Sequence, residues 1–276
     1  IQGDFAFVQG AETYYESVRV LEISINKAST FYGFCSFHDT KNFVQLDRLD
    51  LSNLPLFLWQ LFYRATAHEK YRKIIAVDFA DQVRLLDKGA GLAQQQQLQF
   101  EASFQSWCHS EGLRHLDLLL KEIEGVRARQ SFDEISYTYF LTERRLPFAG
   151  VGCFQPSMAL DGSVLQRVNR VLRHELFGAM LPTETVCMAA IPTKSSTLLC
   201  LCSLRGQTKA TRFIESIAAQ PERIASIFFG TMMLSIENVY FTPSYLRTLS
   251  AGPMSTLKRL SSLGIAEDIK ESDIRL

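Results

Sequence analysis

Apolar positions change their period partway along the chain. Residues 17–33, SVRVLEISINKASTFYG, alternate apolar and polar side chains with many β-branched residues, the pattern of a half-buried strand or hairpin leading into FCSFHD. Ser52 or Asn53 is placed to cap a helix with Pro55 in its first turn, and Leu58, Leu61, Phe62, Ala65 and Glu69 then recur at helical spacing. The first half of that helix is apolar nearly all round, as a central helix requires, and its second half turns polar. Leu98, Phe104, Trp107, Leu116, Leu119, Leu120 and Ile123 extend a helical period from Leu92 to Arg129, with Gly112 expected to divide it in two. The glutamines at 94–97 fall inside this window as a solvated helix face.

Beyond Ser131 the period is two. ISYTYFL and PFAGVGCFQ flank TERRL, which predicts a hairpin with a short polar loop. TVCMAAIP and TLLCLCSL, joined by TKSS, are so continuously apolar that they are expected as inner strands covered on both faces. Helices follow at 208–219 and 221–234, then an extended piece entering a short helix at Pro243 and a final helix after Pro253. The fold class is therefore α+β, a helical first half and a mainly antiparallel β-sheet second half packed with helices. Residues 1–130 form a strand or hairpin plus a helical lobe, and 131–276 the sheet with C-terminal helices. No Pro/Gly/Ser-rich linker near 130 separates two domains from one continuous domain.

Composition narrows the class of function. Lys+Arg and Asp+Glu balance at 29 each, with 21% charged and 47% hydrophobic residues, so broad nonspecific attraction to nucleic acid is disfavoured while a local basic patch stays open. Four of the six cysteines, Cys153, Cys187, Cys200 and Cys202, lie in apolar strand-like runs where a thiol acts as a small hydrophobe. That usage favours a reducing compartment, and no apolar run reaches bilayer length, so a cytoplasmic protein without a membrane partner is expected. The Walker, dinucleotide-binding, nucleophile-elbow and Cys-x-x-Cys motifs are absent, which removes support for nucleotide hydrolysis, hydride transfer, serine hydrolysis and thiol exchange.

Three groups of residues carry candidate chemistry. Cys35 and His38, followed by Asp39, are close enough in sequence to share one zinc ion, but four ligands are normal and the remainder would come from upstream of Ile1 or from Cys108, His109 or His115. The alternative packs Cys35 in the core and leaves His38 and Asp39 in a hydrogen-bonded turn. Arg64, His68, Lys70, Arg72 and Lys73 form a second group, a candidate phosphate-contacting patch or else cations gathered at the negative end of a helix. Arg167 and His174 loosely resemble the Arg/His pair of HEPN ribonucleases, at a spacing that any basic helix yields by chance. Asp133, Glu134 and Glu143 supply carboxylates whose spacing defines no acid/base pair.

The run from Ser29 to Asp39, STFYGFCSFHD, then Phe43, Tyr63-Arg64-Ala65 and Glu69-Lys70-Tyr71, resembles a group of poorly characterised bacterial proteins of defence and mobile-element neighbourhoods. Their pattern is S-T-F-x-G-F-C-x-x-H-D, and the likeness continues through Tyr139–Leu141, Leu146–Phe148, Glu237–Phe241 and Pro243. The resemblance implies that Cys35 and His38 are the second half of a zinc knuckle, and that Asp39 stands where an HNH-like fold places its last metal-binding residue. It thus implies His38 and Asp39 as catalytic candidates of a metal-dependent nuclease, whose general-base His would lie on the preceding hairpin; residues 1–34 contain no His. The expectation is a noncatalytic or degenerate-nuclease accessory protein with a protein partner. The alternatives are an HNH-like nuclease with zinc at Cys35, His38 and Asp39, and a nucleic-acid-binding module using the basic group on the first long helix.

Overall fold

The structure, a computed structural model, describes Glu22, Ser24 and residues 33–166, 183–236 and 238–262, the last four as backbone only. The predicted strand at 17–33 and the Arg167/His174 pair therefore lie outside the described residues, apart from Glu22, Ser24 and Gly33 of the strand.

Helix α1, Ser36–Arg48, begins at Cys35 and ends where Leu49 turns into the left-handed region at φ 50°. Phe43, fully buried, is its anchor, and the backbone NH of Leu46 donates to Gln60 Oε1 at 3.0 Å. Helix α2, Leu54–Arg84, is capped by Asn53, whose Oδ1 accepts from the Leu56 NH at 3.3 Å. It runs past the polar stretch where the sequence suggested an end. Helix α3, Leu92–Ala128, follows after a short 3-10 turn and is continuous through Gly112, whose missing Cβ would lie only 3.5 Å from the Lys73 side chain of α2. At 31 and 37 residues the two helices are about 46 and 55 Å long, a hairpin far longer than the strands beside it. Gly89, at φ 85°, makes the left-handed step of the connection.

The second half is a five-stranded antiparallel sheet of β1 (Ile135–Leu141), β2 (Phe148–Phe154), β3 (Val186–Pro192), β4 (Thr197–Leu204) and β5 (Val239–Phe241) in the order β1-β4-β3-β2-β5. The α+β class and the helical-then-strand arrangement hold. The expected β1–β2 hairpin does not form, because the β3–β4 pair lies between those two strands. The reason is burial. β3 and β4 are apolar on both faces and take the centre, whereas β1 buries only Ile135, alternates half-buried and exposed positions after it, and tolerates an edge. The segment from Thr142 to Pro147 crosses the strand ends instead, gripped by the fully buried Thr197: the Thr142 NH donates to Thr197 O at 3.0 Å and the Leu146 NH to Thr197 Oγ1 at 2.9 Å.

The sheet is covered on both faces. One face packs Met188, Leu199 and Leu201 against α4 (Thr208–Ala218) and α5 (Ile224–Ser235). The other packs Cys187, Ala189, Cys200 and Cys202 against Phe57, Leu58, Leu61 and Phe62 of α2 and Ile123 of α3, so residues from both sides of position 130 share this core. Helices α6 (Pro243–Thr248) and α7 (Ala251–Ser262) close the described chain. The connection from α5 to β5 crosses β2 where Gly150 and Gly152 leave room; a Cβ at Gly150 would stand 2.6 Å from the Asn238 carbonyl oxygen.

Candidate functional site

Cys35 is the residue before the first turn of α1, and His38 lies one turn in, so their side chains meet. Cys35 Sγ and His38 Nδ1 are 3.1 Å apart, a direct hydrogen bond at the surface. Cys35 is exposed rather than packed in the core, which corrects that part of the sequence reading. Asp39 turns to Arg64 of α2, 3.9 Å from its guanidinium, and Asp47 holds the same guanidinium at 3.2 Å. No group of three His, Cys, Asp or Glu among the described residues is arranged to hold a metal ion. His115 is held elsewhere: its Nε2 is 3.1 Å from Thr185 Oγ1, and burial lowers its pKa below the ordinary value.

The basic group splits on α2. Arg64, His68 and Arg72 follow one another at four-residue steps, while Lys70 and Lys73 project from the opposite side toward α3. Lys70 pairs with Asp117 at 2.6 Å, and the Arg64 guanidinium, besides its two carboxylates, lies over the Phe43 ring at 5.3 Å. The helix continues to Arg84, so these residues stand in its middle and the expected interaction with a helix C-terminus does not apply. Arg64 anchors α1 onto α2. The carboxylates near β1 are also engaged: Glu134 takes a two-pronged contact from Arg129 at 3.1 and 2.6 Å, and Arg205 reaches Asp133 at 3.4 Å. The hydrogen bonds from Arg129 first and Ser131 second hold the Glu134 carboxyl below its usual pKa. A shallow polar cleft of about 260 Å³ runs beside them, lined by Lys121, Glu122, Arg129, Glu134 and Arg205 among others.

Two arrangements were not visible in the sequence. Aromatic packing fixes the sheet end of the hairpin: Trp59 donates through Nε1 to the Ile123 carbonyl at 2.7 Å and stacks on Tyr63, with ring centroids 5.3 Å apart. Burial, and then the hydrogen bond Tyr63 donates to Glu124, push the Tyr63 pKa up to about 12. The far end of the hairpin leaves apolar side chains exposed among the described residues. Ile75, Phe79, Leu85, Leu86, Leu92 and Phe100 are between 46% and 72% exposed. The signal was present as unbroken apolar periodicity, but periodicity does not say whether another element covers it. The second arrangement is a row of thiols across β2, β3 and β4, contributed by cysteines distant in sequence.

Searches against protein-family models, curated proteins and solved structures found no match to this chain. No helix among the described residues is long and apolar enough to cross a membrane.

Proposed function

We propose that the chain is a noncatalytic interaction protein of a bacterial defence or mobile-element system, working in the cytoplasm and docking a protein partner through the far end of the α2–α3 hairpin. The single observation that carries this reading is the exposed apolar patch on that end. Patches of this kind on monomeric proteins are interaction sites more often than scattered surface residues are. The resemblance around Ser29–Asp39 supplies the defence context, and six free cysteines suit a reducing compartment. Charge indicates the partner's chemistry. Asp78, Asp81, Asp87 and Glu101 lie along the same stretch as the patch, against Lys88 and an Arg84 already paired with Asp81 at 3.2 Å, a net acidic setting that fits an amphipathic helix with basic flanks.

The test compares wild-type protein with a Phe79→Asp/Leu86→Asp variant. Affinity capture from the native host, with cross-linking to map contact residues, is expected to give cross-links from the hairpin end to a basic amphipathic helix in wild type and none in the variant. Cross-links that map elsewhere, or that survive both substitutions, overturn the proposal. So does concentration-dependent dimerisation through the same residues, which would make a second copy the occupant.

The contact between Cys35 and His38 favours one competing reading, a metal-dependent nuclease holding zinc with further ligands. Elemental analysis decides it. Stoichiometric zinc that is lost in a Cys35→Ala/His38→Ala variant supports that reading, and substoichiometric zinc with unchanged folding of the variant removes it.

A further inference from the structure

Cys153, Cys187 and Cys202 occupy three adjacent strands, with Cys153 opposite Cys187 and Cys187 opposite Cys202. Strand alternation sends all three thiols to the face beneath α2, and each outer thiol finds a partner on that helix. Thr66 spends its one hydroxyl hydrogen on the Phe62 carbonyl at 2.8 Å, so across the 3.6 Å contact between Thr66 Oγ1 and Cys153 Sγ the thiol is the donor. Cys202 donates to the Leu58 carbonyl at 3.9 Å. Both outer thiols therefore direct their hydrogens to α2, and Cys187 stands between them in the strand register. Cys200 shares the face but stands opposite Ala189 and Tyr139, with no sulfur across from it.

Directly opposed residues of an antiparallel pair have Cα atoms about 4.5 or 5.5 Å apart, and both distances fall inside the range of about 4.4–6.8 Å that a disulfide spans. Access is unequal. Cys187 is 0% and Cys202 1% exposed, whereas Cys153 is half-buried and is the most accessible residue of the three.

We infer that Cys153 and Cys187 form an oxidation site, a dithiol that a hydroperoxide converts into a cross-strand disulfide beneath α2. In the first step the Cys153 sulfur attacks the peroxide, the O–O bond breaks, and a sulfenic acid forms with release of water or an alcohol. In the second the Cys187 sulfur attacks the sulfenic sulfur, the S–O bond breaks, and the departing hydroxide takes the Cys187 proton as water. Two thiols are oxidised by two electrons and one peroxide is reduced. The flanking sulfurs of Cys153 and Cys202, and then burial, raise the Cys187 pKa, so Cys187 itself stays protonated at rest and the second step is slow. The disulfide also removes the hydrogen that Cys153 gives to Thr66, and with it one of the contacts seating α2 on the sheet.

The test treats folded protein with hydrogen peroxide, blocks free thiols and digests it without reduction for mass spectrometry. A linked pair of peptides holding Cys153 and Cys187, dissolved by reductant, is expected in wild type and in a Cys202→Ala variant, and is lost in Cys153→Ala. Wild type needs no substitution to give the result, so a folding defect in either variant does not obscure it. The inference is overturned if peroxide oxidises the exposed Cys35 while Cys153 and Cys187 stay alkylatable after denaturation, or if the first link formed joins Cys187 to Cys202.

Discussion

One helix, α2, contains two apolar segments with opposite fates. From Phe57 to Thr66 it is buried against the sheet and α3, with Phe57, Leu58 and Phe62 at zero exposure; from Ile74 to Leu86 a comparably apolar stretch faces outward, and Ala80 is the one buried residue among its described positions. Backbone geometry is the same in both. The difference is the company: β1 to β4 are seven or eight residues long and stop, while the hairpin continues past them. An apolar helix face is a requirement for a cover, and the fold meets it only where the sheet reaches.

Substitutions can break that contrast at either end. Phe62→Ala removes a fully buried ring from the seated half and is expected to cost about 3–5 kcal/mol, measured by chemical denaturation. Gly150→Ala probes the opposite layer. Its new Cβ must displace the Asn238 carbonyl or move β2, a loss of about 1–3 kcal/mol in the same measurement, and a neutral result would mean that the α5–β5 connection yields freely.

Between the halves lies His115 of α3, held near neutrality by burial. Because its folded pKa is lowered below 6.5, the unfolded chain binds the proton more readily; its contribution is full above that value and is lost as pH falls through the lowered folded pKa. Stability should therefore decline on acidification below about pH 6.5 more steeply in wild type than in His115→Gln, as thermal melts across that range would register. The smallest effect belongs to the bare end. Phe79→Ser, at a position 50% exposed, should alter stability by no more than about 0.5 kcal/mol while reducing binding of a hydrophobic dye. A large loss there would show that the far end is a covered core and would end the comparison.

Much of the local structure was legible. Asn53 and Pro55 mark the start of α2, the unbroken apolarity of TVCMAAIP and TLLCLCSL marks β3 and β4 as inner strands, and the alternation of Cys200 and Cys202 puts both on one face. The proximity of Cys35 and His38 also follows from their spacing, although their exposure does not. Gly112 misled because a glycine lowers helix propensity by only about 1 kcal/mol against Ala, which packing of α2 on α3 overrides.

By itself the sequence determined which faces want burial, because hydrophobic period is a property of neighbouring residues. The tertiary structure alone decided that β1 pairs with β4 instead of β2, that three separated cysteines line up across the sheet, and that apolar side chains at the far end of a long hairpin stay exposed among the described residues. Those outcomes depend on how elements compete for a limited number of partners. The most apolar strands win the centre, and whatever the sheet is too short to reach remains at the surface.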